Sequence, residues 1–134
     1  MRLFGPSIAA AAATLAASPL GAATFGTSLT ANVPIVCKLA FRGEITAQDG
    51  GYGLGQLHQY CNSPTGYVVE IDYTPGTLRG TRLQVGDQQT VLDGSGHDEV
   101  ARAAGPKIAD ANLFATPAAT GFDTKSLSFK IVPL

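Results

Sequence analysis

Apolar and polar residues alternate through a run of seventeen residues, from Phe25 to Phe41. Successive side chains of a β-strand point to opposite faces, so this period-two pattern predicts extended structure. At about 3.3 Å per residue the run would be about 55 Å long, whereas common strands hold about five or six residues. Part of the run must therefore leave the sheet in which the rest lies. Pro34 has no N–H for a ladder hydrogen bond, which indicates an edge, a bulge or a junction near the middle of the run.

A short positive start and a ten-residue apolar run, Ile8 to Ala17, precede this segment. The apolar run is too short to span a bilayer, which takes about 20 residues. It is followed by helix-breaking residues and by small residues of the kind that signal peptidases accept. We therefore expect residues 1–23 to be a signal peptide, cleaved after Ala23, and the product to be exported. A buried alanine-rich helix is the alternative, but it leaves Arg2 and the prolines on either side of the run unexplained.

The rest of the chain, residues 24–134, has the length of one domain. The whole sequence has 9 Lys and Arg, 10 Asp and Glu, a formal net charge of -1 and only 14% charged residues. Because no basic stripe is present to neutralise phosphates, we expect no nucleic-acid partner. No second apolar run is long enough to cross a bilayer, so we do not expect a membrane-embedded product.

Short strand-like stretches follow the long run, separated by turn-forming residues. Gly86-Asp87 matches a short hairpin signal, so the strands on either side of it should pair antiparallel. We expect loops at Gly50 to Gly55 and at Asp93 to Asp98, and at most one helical turn at Val100 to Ala104. About seven short strands in about 110 residues predict an all-β, Ig-like antiparallel β-sandwich. The predicted strands after the long run are Leu57 to Cys61, Tyr67 to Tyr73, Thr81 to Val85, Gln89 to Leu92, Ile108 to Phe114 and Leu127 to Ile131.

The chain has two cysteines, Cys37 and Cys61, and both fall on inward positions of predicted strands. Disulfides form and persist in oxidising compartments, so the two cysteines of an exported chain should pair. Neither belongs to a C-x-x-C motif or has a histidine at metal-ligand spacing. We therefore predict a structural disulfide between them.

Possible catalytic and ligand-binding motifs each lack a required part. The glycines of Gly51 to Gly55 lack the lysine and the following helix of a phosphate-binding loop. The segment Asp93 to Glu99 is rich in oxygen ligands but lacks the central glycine and the distal glutamate of a calcium loop. His97 lies beside Asp98, yet no nucleophile turn or oxyanion hole accompanies them.

The remaining polar residues have simpler interpretations. His58 stands alone in its predicted strand, and no partner for acid–base chemistry can be named for it. Glu70 and Asp72 share one face of a strand beside Arg79 and Arg82, which favours solvated ion pairs. The sequence therefore predicts neither an enzyme nor a bound cofactor or metal.

Three short segments share features with one family: Asn32 to Cys37, Tyr60 to Val69 and Leu127 to Val132. Together they resemble the fimbrial subunits of the chaperone-usher type, most closely the archaic branch that is similar to spore coat protein U. The resemblance implies a sandwich that lacks its last strand and so exposes a hydrophobic groove. A periplasmic chaperone would fill this groove first, and the N-terminal arm of a neighbouring subunit would fill it finally, by strand addition to an exposed edge.

On this interpretation residues 24–32 are the donor arm and residues 33–134 are the pilin-like domain. The side chains that would enter a neighbour's groove are Phe25, Thr27, Leu29 and Ala31. The resemblance also implies an outer-membrane usher as a partner, and a path through the periplasm to a fimbria or coat at the cell surface.

A self-contained secreted β-sandwich that binds a ligand or carbohydrate through its loops is the alternative from another functional class. The two hypotheses differ in whether the domain is complete. An incomplete sandwich should self-polymerise or be insoluble alone, whereas a complete one should be a stable monomer.

Overall fold

The computed structural model describes residues 26–118, 122 and 125–134. The expected signal peptide and the first two residues of the predicted arm, Thr24 and Phe25, lie outside the described residues. The chain divides into two units, residues 1–32 and residues 33–134. In the first unit, the described residues 26–32 form no strand and are exposed to solvent.

The described residues form nine β-strands and no helix, arranged as two antiparallel sheets, so the predicted all-β sandwich is confirmed. The first sheet has the order β1-β3-β8-β5-β6, with β2 also paired to β3, and the second has the order β7-β4-β9. No helix among these residues could cross a membrane. The strands are β1 Cys37–Arg42, β2 Thr46–Gln48, β3 Gly51–Cys61, β4 Tyr67–Asp72, β5 Arg82–Val85, β6 Gln88–Val91, β7 His97–Ala103, β8 Lys107–Thr116 and β9 Ser128–Pro133.

The core lies between the two sheets and is built from the inward positions of their strands. Leu57 of the first sheet and Val69 and Ile71 of the second have no exposed surface. The hydroxyl of Tyr67 donates a hydrogen bond to Gln59 Oε1 at 2.8 Å, and both side chains are buried. This bond connects β4 to β3 and satisfies polar groups whose desolvation would otherwise cost about 1–3 kcal/mol.

The expected loop at Gly50 to Gly55 is wrong for most of its length, because β3 begins at Gly51 and continues for 11 residues. Glycine is required at Gly51 and Gly55 because the backbone of neighbouring strands packs closely against both positions. A Cβ on Gly51 would collide with the carbonyl oxygen of Ala115, and one on Gly55, whose φ is 98°, would collide with that of Arg42. Glycine tolerates both situations because it has no side chain.

The helical turn expected at Val100 to Ala104 is also wrong, because most of this segment belongs to β7. Val100 and Ala101 are buried against the core, and β7 pairs along β4. Tertiary packing here outweighs the helix propensity of the alanines. The expected loop at Asp93 to Asp98 ends earlier than predicted, since β7 starts at His97.

The alternating run from Phe25 to Phe41 does divide, as its length requires. Only its last residues, from Cys37 onward, are in β1, and residues 26–36 are in no strand. The hairpin around Gly86-Asp87 is confirmed, with β5 and β6 paired antiparallel. The pattern therefore predicted a strand correctly for about the last third of the run, which lies in β1.

The disulfide between Cys37 and Cys61 is confirmed. The two residues are directly opposite in the antiparallel pair of β1 and β3, so the bond fixes the end of that pair. It closes a loop of 24 residues.

We predict that the double substitution Cys37→Ala and Cys61→Ala lowers the free energy of unfolding by about 2–5 kcal/mol, because the cross-link restricts the unfolded chain. Urea denaturation of the variant and of the oxidised parent measures this difference. Two free thiols in non-reduced protein from an oxidising compartment would contradict the assignment.

Candidate functional site

The candidate site is a groove between the edges of the two sheets. Strand β1 lies at one end of the first sheet and β9 at one end of the second, and the two strands contact each other across the core. An edge strand presents backbone N–H and C=O groups that no neighbouring strand satisfies. Within the described residues, no further strand pairs with the outer edge of β9.

Apolar side chains form most of the groove's surface. The cavity has a volume of about 420 Å³. Its walls come from β1, from β3 and from the segment that leads into β9, so both sheets contribute. The principal lining side chains are Leu39, Phe41, Leu54, Leu57, Leu127 and Phe129.

Inward-facing residues along this groove are less well covered than those in the rest of the core. Leu39, Leu127 and Phe129 are only partly buried, although they pack against the core, and Phe41 is 50% exposed. Covering such surface gains about 25 cal/mol for each Å² removed from water. The groove is therefore a place where an added strand would be stabilised by apolar contacts as well as by backbone hydrogen bonds.

The described part of the predicted arm is in no strand and is exposed. Thr27, Leu29 and Ala31 all face solvent, and the side chain of Leu29 is 91% exposed. The apolar positions continue past residue 32, because Val33 is 71% exposed and Ile35 is 53% exposed. All five positions have the same parity, so in a strand they would share one face.

Asn62 fixes the point at which this segment meets β1. Its Oδ1 accepts a hydrogen bond from the Val36 N–H at 2.6 Å, and its Nδ2 donates to the Pro34 carbonyl at 3.0 Å. The backbone N–H of Asn62 also donates to the Val36 carbonyl at 3.2 Å. These bonds lie next to the disulfide and hold residues 34–36 against the end of β3.

A second polar cluster lies on the outer face of the second sheet and crosses all three of its strands. His97 Nδ1 lies 2.6 Å from Asp72 Oδ1, and His97 Nε2 lies 3.6 Å from Glu70 Oε1. Lys130 Nζ of β9 lies 3.2 Å from Glu70 and 3.4 Å from Asp72. The hydrogen bond from His97, and then the bond and charge of Lys130, lower the pKa of the Asp72 carboxyl.

These contacts correct one interpretation of the sequence. The predicted neighbours of Glu70 and Asp72 were Arg79 and Arg82, but the pairing of β4 with β7 and β9 brings His97 and Lys130 there instead. Neither partner is close in sequence to the carboxylates.

His58 also has a partner that the sequence did not reveal. Its Nδ1 lies 2.6 Å from Asp110 Oδ1, because His58 and Asp110 are opposite each other in β3 and β8. On the same outer face, Gln56 Nε2 donates to Asn112 Oδ1 at 2.8 Å. The partners are more than 50 residues apart in sequence, which is why spacing gave no signal.

The acidic segment Asp93 to Glu99 uses its oxygens within the fold. Asp93 Oδ1 accepts a hydrogen bond from the Ser95 N–H at 2.6 Å, and bonds from Ser95 lower the pKa of Asp93. Tyr73 donates its hydroxyl to Asp98 Oδ2 at 2.6 Å. In the described part of the chain, no group of three or more His, Cys, Asp or Glu residues is arranged to hold a metal ion.

No family model, curated protein or solved structure matches this chain. A proposal for its function therefore depends on the groove, the exposed segment before β1 and the sequence motifs themselves.

We predict that Asn62→Ala lowers the free energy of unfolding by about 1–3 kcal/mol, because it removes both side-chain hydrogen bonds to residues 34–36. Asn62→Asp keeps the acceptor for the Val36 N–H but sets a carboxylate oxygen against the Pro34 carbonyl, where two acceptors repel each other. Urea denaturation should show both variants to be less stable than the parent. Equal stability of all three proteins would contradict this role.

The lowered pKa of Asp72 predicts a pH dependence of stability. A carboxyl whose folded pKa lies below its unfolded value, here 3.8, stabilises the protein above that value. This stabilisation disappears as the pH falls through the folded pKa. Asp72→Asn should therefore lower the urea midpoint near neutral pH, and its effect should shrink as the pH falls below 3.8 and through the folded pKa. Asp87→Asn, in the turn between β5 and β6, controls for the loss of one negative charge, and a difference that persisted at low pH would contradict the prediction.

Proposed function

We propose that this protein is a structural subunit of a surface fimbria or coat and that it polymerises by donor-strand complementation. The observation that supports this most is the apolar groove between β1 and β9. The groove has an unpaired strand edge on one side and partly exposed core residues, such as Leu39 and Phe129, at its base. A strand supplied by another chain meets both requirements, for backbone partners and for apolar cover.

The segment before β1 has the properties that such a strand needs. It is exposed and paired with no strand of its own domain, and its apolar side chains recur at every second or fourth position, at Leu29, Val33 and Ile35. Alternate side chains of an added strand enter pockets, while its backbone supplies hydrogen bonds to the edge. Full burial of one leucine or isoleucine side chain contributes about 1.5–3 kcal/mol, so a few such anchors can hold subunits together.

The proposed partners follow from the resemblance of the motifs around Cys37, Cys61 and β9 to chaperone-usher subunits. A periplasmic chaperone would cover the groove before assembly, an outer-membrane usher would guide assembly, and neighbouring copies would cover the groove in the polymer. The disulfide supports an oxidising compartment such as the periplasm or the cell surface.

Deletion of residues 24–31 should leave a subunit that folds with its chaperone but does not polymerise, because the domain's own strands begin after the deleted segment. Leu29→Asp should have the same effect, since a carboxylate would have to be desolvated in an apolar groove at a cost of several kcal/mol. Unheated polymer ladders and subunit solubility with the chaperone are the measurements.

Val91→Asp is the matched control for this experiment. Val91 is 56% exposed, lies on β6 and does not line the groove, so an aspartate there should leave the ladders unchanged. Ladders from the deletion variant, or a Leu29→Asp subunit that cannot fold with its chaperone, would refute the donor arm. A purified parent protein that stays a stable monomer at high concentration would favour the self-contained binding module.

A further inference from the structure

A second concave site lies on the outer face of the first sheet, between β2, β3 and β8. Its volume is about 410 Å³, which falls within the range of about 300–1,000 Å³ that small-molecule sites occupy. It shares neither a strand face nor a side chain with the apolar groove, which opens on the inner side of the same sheet.

Strand β3 has no side chain at Gly53, at the floor of the site. Gly53 lies between Thr46 of β2 and Phe114 of β8 in the register of the sheet. A Cβ on Gly53 would collide with the side chain of Gln48, so the absence of a side chain here lets Gln48 lie over the floor. The register of β3 and β8 also shifts between Gly53 and Gly55, and such bulges change the direction of neighbouring side chains.

The walls combine amide groups with one aromatic ring. Gln48 and Thr46 stand on the side of β2, while Gln56 and Asn112 form a hydrogen-bonded pair at 2.8 Å along the floor of the sheet. Phe114 is partly exposed on the opposite side, and its ring lies over Gly51, where a Cβ would be 3.0 Å from Cζ. Each primary amide offers two donors and one acceptor.

These groups select the class of ligand. Of the side chains that line the site, Glu44 carries a negative charge and none is a lysine or arginine, so a phosphate or carboxylate ligand would be repelled. A wholly apolar ligand would desolvate the amide atoms that the bond between Gln56 and Asn112 does not use, and it would offer them no partners. A neutral sugar offers hydroxyl groups to the amides and a C–H face to the ring of Phe114.

We propose that this cleft is a binding site for neutral pyranose oligosaccharides. Gln48, Gln56 and Asn112 exchange hydrogen bonds with ring hydroxyls, and Phe114 packs against the apolar face of one sugar ring. The proposal does not rest on the proposed polymerisation, because no residue that lines the cleft lines the groove or belongs to the arm.

Saturation-transfer NMR tests the proposal, because it detects ligand binding to a monomer or a polymer. The probes are cellotriose, maltotriose and chitotriose, each added to the full exported protein with its aromatic protons saturated. We expect transfer to the ring C–H protons of at least one trisaccharide. Phe114→Leu keeps an apolar wall but removes the aromatic ring, and it should reduce the signal at least fivefold.

Three further variants complete the test. Asn112→Ala removes one amide of the cleft, Gly53→Ala forces the side chain of Gln48 out of its position, and each should weaken binding by about tenfold or more, or about 1.4 kcal/mol. Gln89→Ala, on the exposed face of β6 and outside the cleft, is the control and should bind as the parent does. Absence of transfer to all three sugars, parent-like binding by the Phe114, Asn112 and Gly53 variants, or binding of inorganic phosphate in place of sugar would overturn the proposal.

Discussion

The first sheet depends on one long strand, β3, which pairs with β1, β2 and β8. Its last residue, Cys61, is bonded to β1, and its Gln59 accepts the hydrogen bond from Tyr67 that joins the two sheets. Its glycine-rich half allows backbone and side chains of neighbouring strands to approach closely. The groove on one side of the sheet and the cleft on the other are both bounded by this strand.

The sequence predicted the fold well where the alternation of side chains coincided with burial. The strands around Val69, Leu83 and Ile131 were recognised because their inward positions are apolar and their outward ones polar. The period-two run before Cys37 was recognised as longer than any one strand. In each case the pattern reflects which face of a strand meets the core, and that is a local property of the sequence.

The sequence failed where a residue's role depends on its neighbours in the sheet. The segment from Gly51 was mistaken for a loop because glycine has a low strand propensity, whereas here it is required by the nearby carbonyl of Ala115. The partners of His58 and His97 come from strands far away in sequence. The groove could be expected only from the resemblance, because no single segment of the sequence shows which strand edge stays unpaired in the folded sheet.

The short segment between β1 and β2 separates the two concave sites. Gly43 and Ile45 line the apolar groove, while Glu44 and the first residue of β2, Thr46, line the cleft on the outer face. A strand that fills the groove and a sugar that fills the cleft would therefore act on opposite sides of the same few peptide units. Thermodynamic linkage then relates the two sites. If assembly changes the affinity of the cleft for its ligand by some factor, the ligand changes the affinity of the groove for its strand by the same factor.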